Sequence, residues 1–213
     1  MAGLGKLTLE HYLERLASDN AAPGGGAAAA VTAAQAAALL SMALRITSKG
    51  AAPAATPTSE AAALLAQVDA ARARLIALAD ADGEAFDAVM AAYKLPTMTA
   101  PEKAARKDAI QKALVRATEV PLELMQRLDD LFAYAGVVLP SAKPSVVSDA
   151  AIAVELTYAA IQSARFNVRI NLRYLRDEDY KLQVKTRMQD LMRGKQSLRQ
   201  GLQRQAKQLI KNP

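Results

Sequence analysis

The sequence predicts an all-α protein, an up-and-down bundle of long helices. Hydrophobic residues make up 52% of the 213 residues but aromatic residues only 4%. Such a core of alanine, leucine, valine and methionine is typical of closely packed helices rather than sheets. Apolar residues recur at helical spacing, and no convincing strand or internal repeat interrupts them. We therefore expect residues 1–213 to form a single helical domain.

Three helices are predicted in the first half of the chain. Thr8 can cap a short helix over about 8–16, which the PGGG segment ends. A second helix is expected at about 27–48, where alanines allow neighbouring helix axes to approach closely. After a proline-containing loop, a long helix spans about 58–93, although Gly83 inside it costs about 1 kcal/mol relative to alanine.

The next helix has a predicted cap at its start and a proline in its middle. Thr99 and Glu102 match a capping box, in which two side chains satisfy free backbone N–H groups. Pro121 is expected to kink this helix or to start a new one, because proline lacks an N–H group and clashes with the preceding turn. That segment should end at Gly136.

Positive charge is concentrated in the last part of the chain. Ser148-Asp149 is an ordinary N-cap pattern for a helix that the acidic run 177–179 interrupts, and a basic helix follows at about 180–211. From Arg165 onward, 13 basic and 4 acidic residues give a net charge of +9. A solvated helix face is favoured over nucleic-acid binding, since no nucleic-acid motif accompanies the charge. Attraction of a small polyanion is a third interpretation.

Composition excludes several kinds of site. The chain has no cysteine and a single histidine, His11, so thiolate chemistry, a serine–histidine pair and a histidine-rich metal cluster are not expected, and we predict no metal site. Residues 20–44 carry no charge, but their alanine, glycine and polar content argues against a membrane span. Because the first residues lack a signal-peptide pattern, we expect a cytoplasmic protein.

Consecutive glycines precede the second helix. Without Cβ atoms, Gly24, Gly25 and Gly26 allow positive φ and let a ligand approach the backbone. The helix that begins near Ala27 offers unpaired N–H groups and a partial positive charge, which favour an anion. The alternative is a flexible turn before a tightly packed helix.

Acids and amides supply the other candidate site residues. Asp80 and Glu84 share one helix face, whereas Asp82 points elsewhere; an acidic cluster of this kind is usually a solvated face. Asn167 and Asn171 are four residues apart, so both amides lie on one face and could bind a ligand with donor and acceptor groups. An interhelical hydrogen bond is the alternative.

Five local patterns occur in a specific order: PGGGAAAA with MALRIT, ADADGEAFDAVMAAYKLP, EKAARKDAIQKALVRATEVPLEL, VVSDAAIA and ARFNVRINL. From about Leu9 to Asp177 this set resembles the cyclodeaminase/cyclohydrolase family of folate enzymes. The length is similar to that of the stand-alone methenyltetrahydrofolate cyclohydrolases. The resemblance implies an all-α homodimer with folate sites near the subunit contact, and no cofactor beyond the tetrahydrofolate substrate, which can carry a polyglutamate tail.

The resemblance also implies roles for individual residues. Asp82 aligns with the family's acid before Ala-Phe and would transfer a proton during hydrolysis of 5,10-methenyltetrahydrofolate or cyclodeamination of formiminotetrahydrofolate. Lys49 could hydrogen-bond a developing oxygen or a folate carboxylate, and the alternative is an exposed lysine at the C-terminus of a helix. The remaining expected folate contacts are Gly24, Gly25, Gly26, Ser148, Asp149, Asn167 and Asn171.

Two segments depart from the family pattern. A Gly-Lys-Lys stretch is replaced by Thr47-Ser48-Lys49-Gly50, and a Gly-Asn segment by residues 141–145. These differences leave open a member that binds folate without turning it over. A non-catalytic helical protein that binds nucleic acid through its basic C-terminal helix is the competing hypothesis.

Overall fold

The computed structural model describes residues 3–49 and 59–211, and within these ranges it contains helices and no strand. The predicted all-α class is therefore confirmed. The loop expected after the second helix lies outside the described residues. The helices are a 3₁₀ turn at Leu4–Lys6, α1 (Leu9–Leu16), α2 (Gly25–Ser48), α3 (Ser59–Tyr93), α4 (Ala100–Ser141), a second 3₁₀ turn at Pro144–Val146, α5 (Val147–Tyr174), α6 (Glu178–Met192) and α7 (Lys195–Lys211).

Two of the predicted helix starts are present in full. The Thr8 hydroxyl accepts a hydrogen bond from the His11 N–H at 3.2 Å and caps α1. At α4, Thr99 Oγ1 accepts from the Glu102 N–H, while Glu102 Oε2 accepts from the Thr99 N–H at 2.8 Å. These contacts satisfy N–H groups that a helix cannot pair internally.

Helix α4 excludes the start of a new helix at Pro121, one of the two predicted outcomes, and corrects the predicted end at Gly136. It continues for 42 residues through both positions and ends at Ser141. Pro121 is itself buried, and the adjacent Leu122 and Leu124 are almost completely inaccessible. Burying such a leucine stabilises by about 1.5–3 kcal/mol, which offsets the roughly 3 kcal/mol that an internal proline costs.

Two further predictions about helix ends are wrong. The N-cap of α5 is Val146, which makes no side-chain cap hydrogen bond, so Ser148 and Asp149 lie inside the first turn. The Asp149 carboxylate is still placed favourably near the positive end of the helix. The basic C-terminal segment forms two helices rather than one, because Gly194 takes a φ of 72° between α6 and α7, a conformation that glycine adopts without steric cost.

Four long helices surround the core. Helix α2 packs against α3 and α5, and α4 packs against the same two helices from the other side. Most buried residues of α2 are alanines, and Ala27, Ala33 and Ala37 are fully buried. Because these side chains are small, α2 can pack closely between α3 and α5.

Length and composition alone would let two described segments cross a membrane, Gly25–Ser48 and Pro144–Tyr174. In the bundle, both segments contribute many buried residues to the common core. Packing against the other helices buries 61% of the apolar window in Gly25–Ser48 and 44% of that in Pro144–Tyr174.

The long helices alternate in direction. The start of α2, the second half of α3, the first half of α4 and the last turns of α5 line one cavity, so these parts lie at the same end of the bundle. At the other end, the Lys143 N–H after α4 donates to Thr47 Oγ1 near the end of α2 at 3.2 Å. We call these the cavity end and the far end.

Candidate functional site

The cavity has a volume of about 500 Å³ and an apolar lining with a few polar groups. Both the size and the composition are typical of small-molecule sites. Six of the nine site residues predicted from the sequence contribute to its lining: Gly24, Gly25, Gly26, Asp82, Asn167 and Asn171.

The carboxylate of Asp82 lies directly against the bare backbone of α2. Its Oδ2 atom accepts a hydrogen bond from the Ala27 N–H at 3.1 Å. A Cβ atom on Gly26 would lie 2.5 Å from Oδ2 and closer still to Oδ1, so any other residue at position 26 would overlap the carboxylate. Burial raises the pKa of Asp82 above its usual value, while the hydrogen bond from Ala27 opposes this rise.

The three glycines do not take positive φ, so the predicted use of that conformation is wrong, and any need for glycine depends on the missing side chain. Among the described residues, only Gly194 has a positive φ, and Gly24 is extended at φ −122° and ψ −157°. A Cβ on Gly25 would make an ordinary contact of 3.8 Å with Asn167 Oδ1. Gly26 is therefore the position where close approach requires glycine.

The amino end of α2 already has an anionic partner within the chain. The sequence predicted that its N–H groups would attract an anion, and the carboxylate of Asp82 occupies the Ala27 N–H. A carboxylate at this end of a helix is stabilised by the helix dipole. Anion binding by a ligand at the remaining α2 N–H groups stays a prediction.

Asn167 and Asn171 are held by backbone carbonyl groups. Asn171 Nδ2 donates to the Ala117 carbonyl of α4 at 2.6 Å, and Asn167 Nδ2 donates to the Ser163 carbonyl at 3.3 Å. Asn171 therefore makes the interhelical hydrogen bond that was one of the two sequence interpretations, and it lines the cavity as well. With their nitrogens engaged, both amides retain an oxygen that can accept from a ligand.

Asp80 has a structural contact that separates it from Asp82. Its Oδ1 atom accepts from the Leu4 N–H at 2.6 Å, and Gly3 packs against the same carboxylate. Asp80 thus anchors the amino-terminal segment to α3, whereas Glu84 is exposed. Within the acidic cluster, Asp82 is the member that lines the cavity.

The structure does not bring Lys49, Ser148 and Asp149 to the cavity. Lys49 follows the last residue of α2, and the 24 residues of that helix span about 36 Å. Ser148 and Asp149 lie in the first turn of α5, and the last turns of this helix line the cavity. All three therefore lie at the far end, where the ammonium of Lys143 donates to the Ile46 carbonyl at 3.3 Å. Their predicted roles require a second subunit.

The family model described as formiminotransferase-cyclodeaminase matches residues 8–190. The chain belongs to this family. It is 35% identical over 176 residues to a methenyltetrahydrofolate cyclohydrolase of Methylorubrum extorquens, a match that covers 83% of this chain and 84% of the relative. The formimidoyltransferase-cyclodeaminase of Sus scrofa is 34% identical over 86% of this chain, which spans 34% of that longer protein.

A solved member of the same family shares the fold. The crystal structure of a formiminotetrahydrofolate cyclodeaminase from Thermotoga maritima matches with a TM-score of 0.80 and 25% identity, and the match covers 98% of both chains. The resemblance inferred from the ordered sequence patterns is confirmed.

The sequence analysis of this family member did not identify the apolar side chains that line the cavity. Phe86, Met90 and Tyr93 line it from α3, and Ile170 and Tyr174 line it from α5. A signal for them was present, because they continue at intervals of three and four residues from Asp82 and Asn167, and such residues share a helix face.

Proposed function

We propose that the protein hydrolyses 5,10-methenyltetrahydrofolate to 10-formyltetrahydrofolate in the cavity, with Asp82 as the acid–base group. One observation carries the proposal: a partly buried carboxylate lines the cavity beside the bare backbone of Gly26. The similarity to a cyclohydrolase of nearly the same length supports this reaction over others.

The chemistry suits a carboxylate in an enclosed site. The methenyl carbon bridges two nitrogens as a cationic amidinium, and a nearby cation favours the ionised form of Asp82 against the burial that disfavours it. Asp82 takes a proton from the attacking water as its oxygen bonds to the bridge carbon. The bond from this carbon to N5 then breaks as the hydroxyl group on the carbon loses its proton and becomes the formyl oxygen. N5 receives the proton held by Asp82, the formyl group remains on N10, and the hydroxyl proton is released to solvent. No cofactor beyond the folate takes part.

Amide oxygens provide a second recognition feature. Asn171 and Asn167 line the same cavity and retain acceptor capacity. A pterin carries amino and ring N–H donors, so these amides and the α2 backbone would orient it.

The direct test is loss of methenyl absorbance when purified protein is added, compared with the uncatalysed rate. Asp82→Asn should lower turnover by about 10²-fold or more, the scale of a general acid–base group. Glu84→Gln is the matched control, since Glu84 is an exposed acid one half-turn away. An unchanged rate in Asp82→Asn would remove this residue from the mechanism.

A second candidate reaction uses the same cavity. The relatives include cyclodeaminases, both in the pig protein and in the Thermotoga structure. In that reaction Asp82 would shuttle a proton while the 10-nitrogen attacks the formimino carbon and ammonia leaves. Ammonia release from formiminotetrahydrofolate, without methenyl hydrolysis, would select this activity.

The proposed assembly is a homodimer in which the far end of one subunit supplies Lys49 to the partner's cavity. Exposed apolar side chains on α5, Phe166 (63% accessible) and Ile152 (48%), support a subunit contact. A two-fold arrangement can bring opposite ends of two antiparallel bundles together.

Mixing two inactive variants tests this assembly. A dimer of Asp82→Asn and Lys49→Met chains contains one intact site if Lys49 acts across the interface, so refolded mixtures should recover about a quarter of the wild-type activity. If the mixture recovered no activity, or if light scattering showed a monomer, a site shared between two subunits would be contradicted.

We assign the basic C-terminal helices a role in packing against the rest of the bundle. The proposed location is the cytoplasm, and no membrane or nucleic-acid partner is proposed. Arg199 donates to Glu155 of α5 at 2.8 Å, Arg187 pairs with Glu119 of α4, and Lys195 pairs with Asp129. Several of these cationic side chains therefore pair with carboxylates of the same chain. Steeply salt-dependent binding to DNA or RNA would contradict this assignment.

A further inference from the structure

Two partly exposed tyrosines line the cavity at the ends of two helices. Tyr93 is the last residue of α3 and Tyr174 the last residue of α5, and both line the cavity. Their accessibilities are 41% and 52%, so neither ring is used to fill the core. Half-exposed aromatic side chains that converge on a cavity offer a large apolar contact area for a ligand.

Each tyrosine is held at its backbone by a side chain of α4. Arg106 donates from Nε and Nη2 to the Tyr93 carbonyl at 3.1 and 2.9 Å, and its guanidinium carbon lies 5.8 Å from the ring centroid. Gln111 Nε2 donates to the Tyr174 carbonyl at 3.2 Å, while its Oε1 accepts from the Arg176 N–H at 2.8 Å. Carbonyl groups at a helix end lack partners within the helix, and here α4 supplies them.

The cavity lining is polar around Asp82 and Asn167 and aromatic at the ends of α3 and α5. Tyr93 follows Asp82 by eleven residues, about 16 Å along α3, and Tyr174 follows Asn167 by seven residues, about 10 Å along α5. Side chains on a helix lean toward its amino end, so both rings lean back toward the polar groups. A ligand that matches both parts of this lining has a polar ring system joined to an aromatic ring.

We propose that Tyr93 and Tyr174 bind the aminobenzoyl ring of the folate, and that Arg106 and Gln111 are positioning residues that fix these tyrosines. This assignment rests on the proposed function, because it takes the bicyclic part of the same ligand to lie beside Asp82. Ring-to-ring contact prefers offset or edge-to-face geometry and contributes beyond the buried area.

The test measures the affinity of 5-formyltetrahydrofolate by calorimetry. Tyr93→Leu and Tyr174→Leu should each weaken binding by about 3- to 10-fold, the range expected for losing one aromatic pair, and the corresponding phenylalanine variants should recover most of the loss. Tyr134→Leu is the matched control, since Tyr134 is a partly exposed tyrosine of α4 outside the cavity lining. Gln111→Met should raise KM while kcat changes little.

A spectroscopic measurement locates the contact. The chain has six tyrosines and no tryptophan, so 3-fluorotyrosine labelling gives a small set of ¹⁹F resonances. Aminobenzoylglutamate alone should shift the two resonances that Tyr93→Phe and Tyr174→Phe remove. The aromatic contact would be contradicted if only the resonances of other tyrosines shifted, or if both leucine variants bound 5-formyltetrahydrofolate as tightly as the wild type. Either result would leave the binding of folate itself unaffected. No binding of 5-formyltetrahydrofolate to the wild-type protein would overturn the proposed function as well.

Discussion

The cavity end and the far end of the bundle contain similar residue types with different surroundings. At the cavity end, Asp82 is enclosed by the backbone of α2 and has a raised pKa. At the far end, Asp149 lies in the first turn of α5 and Lys49 is exposed. Enclosure against bare backbone, more than residue type, separates a candidate catalytic acid from an ordinary helix-end charge.

The strongest test of this difference is the pair Gly26→Ala and Gly25→Ala. A methyl group at position 26 must displace the Asp82 carboxylate, which should cost about 1–3 kcal/mol of unfolding free energy. At position 25 it meets only the ordinary contact with Asn167, so the change should stay within about 0.5 kcal/mol. Denaturant unfolding measures both, and equal losses would contradict the close approach at Gly26.

The pH dependence of stability tests the enclosure of Asp82. Because its pKa is raised in the folded state, the protonated carboxyl stabilises the fold below the unfolded pKa, and this contribution is lost as pH rises through the folded pKa. Asp82→Asn should therefore be at least as stable as the wild type at pH 7 while losing activity. A less stable variant at pH 7 would show that the charged form stabilises the fold.

Glu123 provides the opposite case within the same bundle. Arg74 donates to both of its oxygens, at 2.8 and 2.7 Å, and lowers its pKa. Its contribution is therefore present above the unfolded pKa and is lost as pH falls through the folded one. Glu123→Gln should reduce the loss of unfolding free energy as pH falls through the range below the ordinary pKa of a glutamate. Asp82→Asn should reduce the loss of unfolding free energy as pH rises through the range above the ordinary pKa of an aspartate.

The smallest effect is expected at the far end. Lys143→Met removes the hydrogen bond from Nζ to the Ile46 carbonyl, and such a surface change should alter unfolding free energy by about 0.5 kcal/mol or less. Methenyl turnover should stay at the wild-type rate in the same preparation. A large loss of turnover would show that the far end participates in the reaction beyond the predicted Lys49.

Local signals predicted much of the fold, and tertiary packing accounts for the errors. The limits of α3 agree with the prediction, and the Thr99–Glu102 cap follows from side chains adjacent in sequence. The continuation of α4 through Pro121 depends on leucines buried by other helices, which no local pattern records. At Val146 a helix begins without a capping side chain, so the nearby Ser148-Asp149 pattern was misleading.

The candidate site could be predicted where two distant patterns converge. Gly26 and Asp82 are 56 residues apart in sequence and meet as expected. The position of Lys49 at the far end could also have been foreseen, because a helix of 24 residues separates its two ends by about 36 Å. The tyrosines were missed because aromatic residues at helical spacing usually belong to a core, and only the packed structure shows that these face a cavity.

The contact between position 26 and the Asp82 carboxylate has an evolutionary consequence. Since a side chain and the carboxylate cannot occupy the same space, the two residues should be inherited as a pair. Homologues that acquired a larger residue at the glycine must have shifted or discarded the acid. Lineages that lost this chemistry should therefore be recognisable by paired substitutions at these two alignment columns.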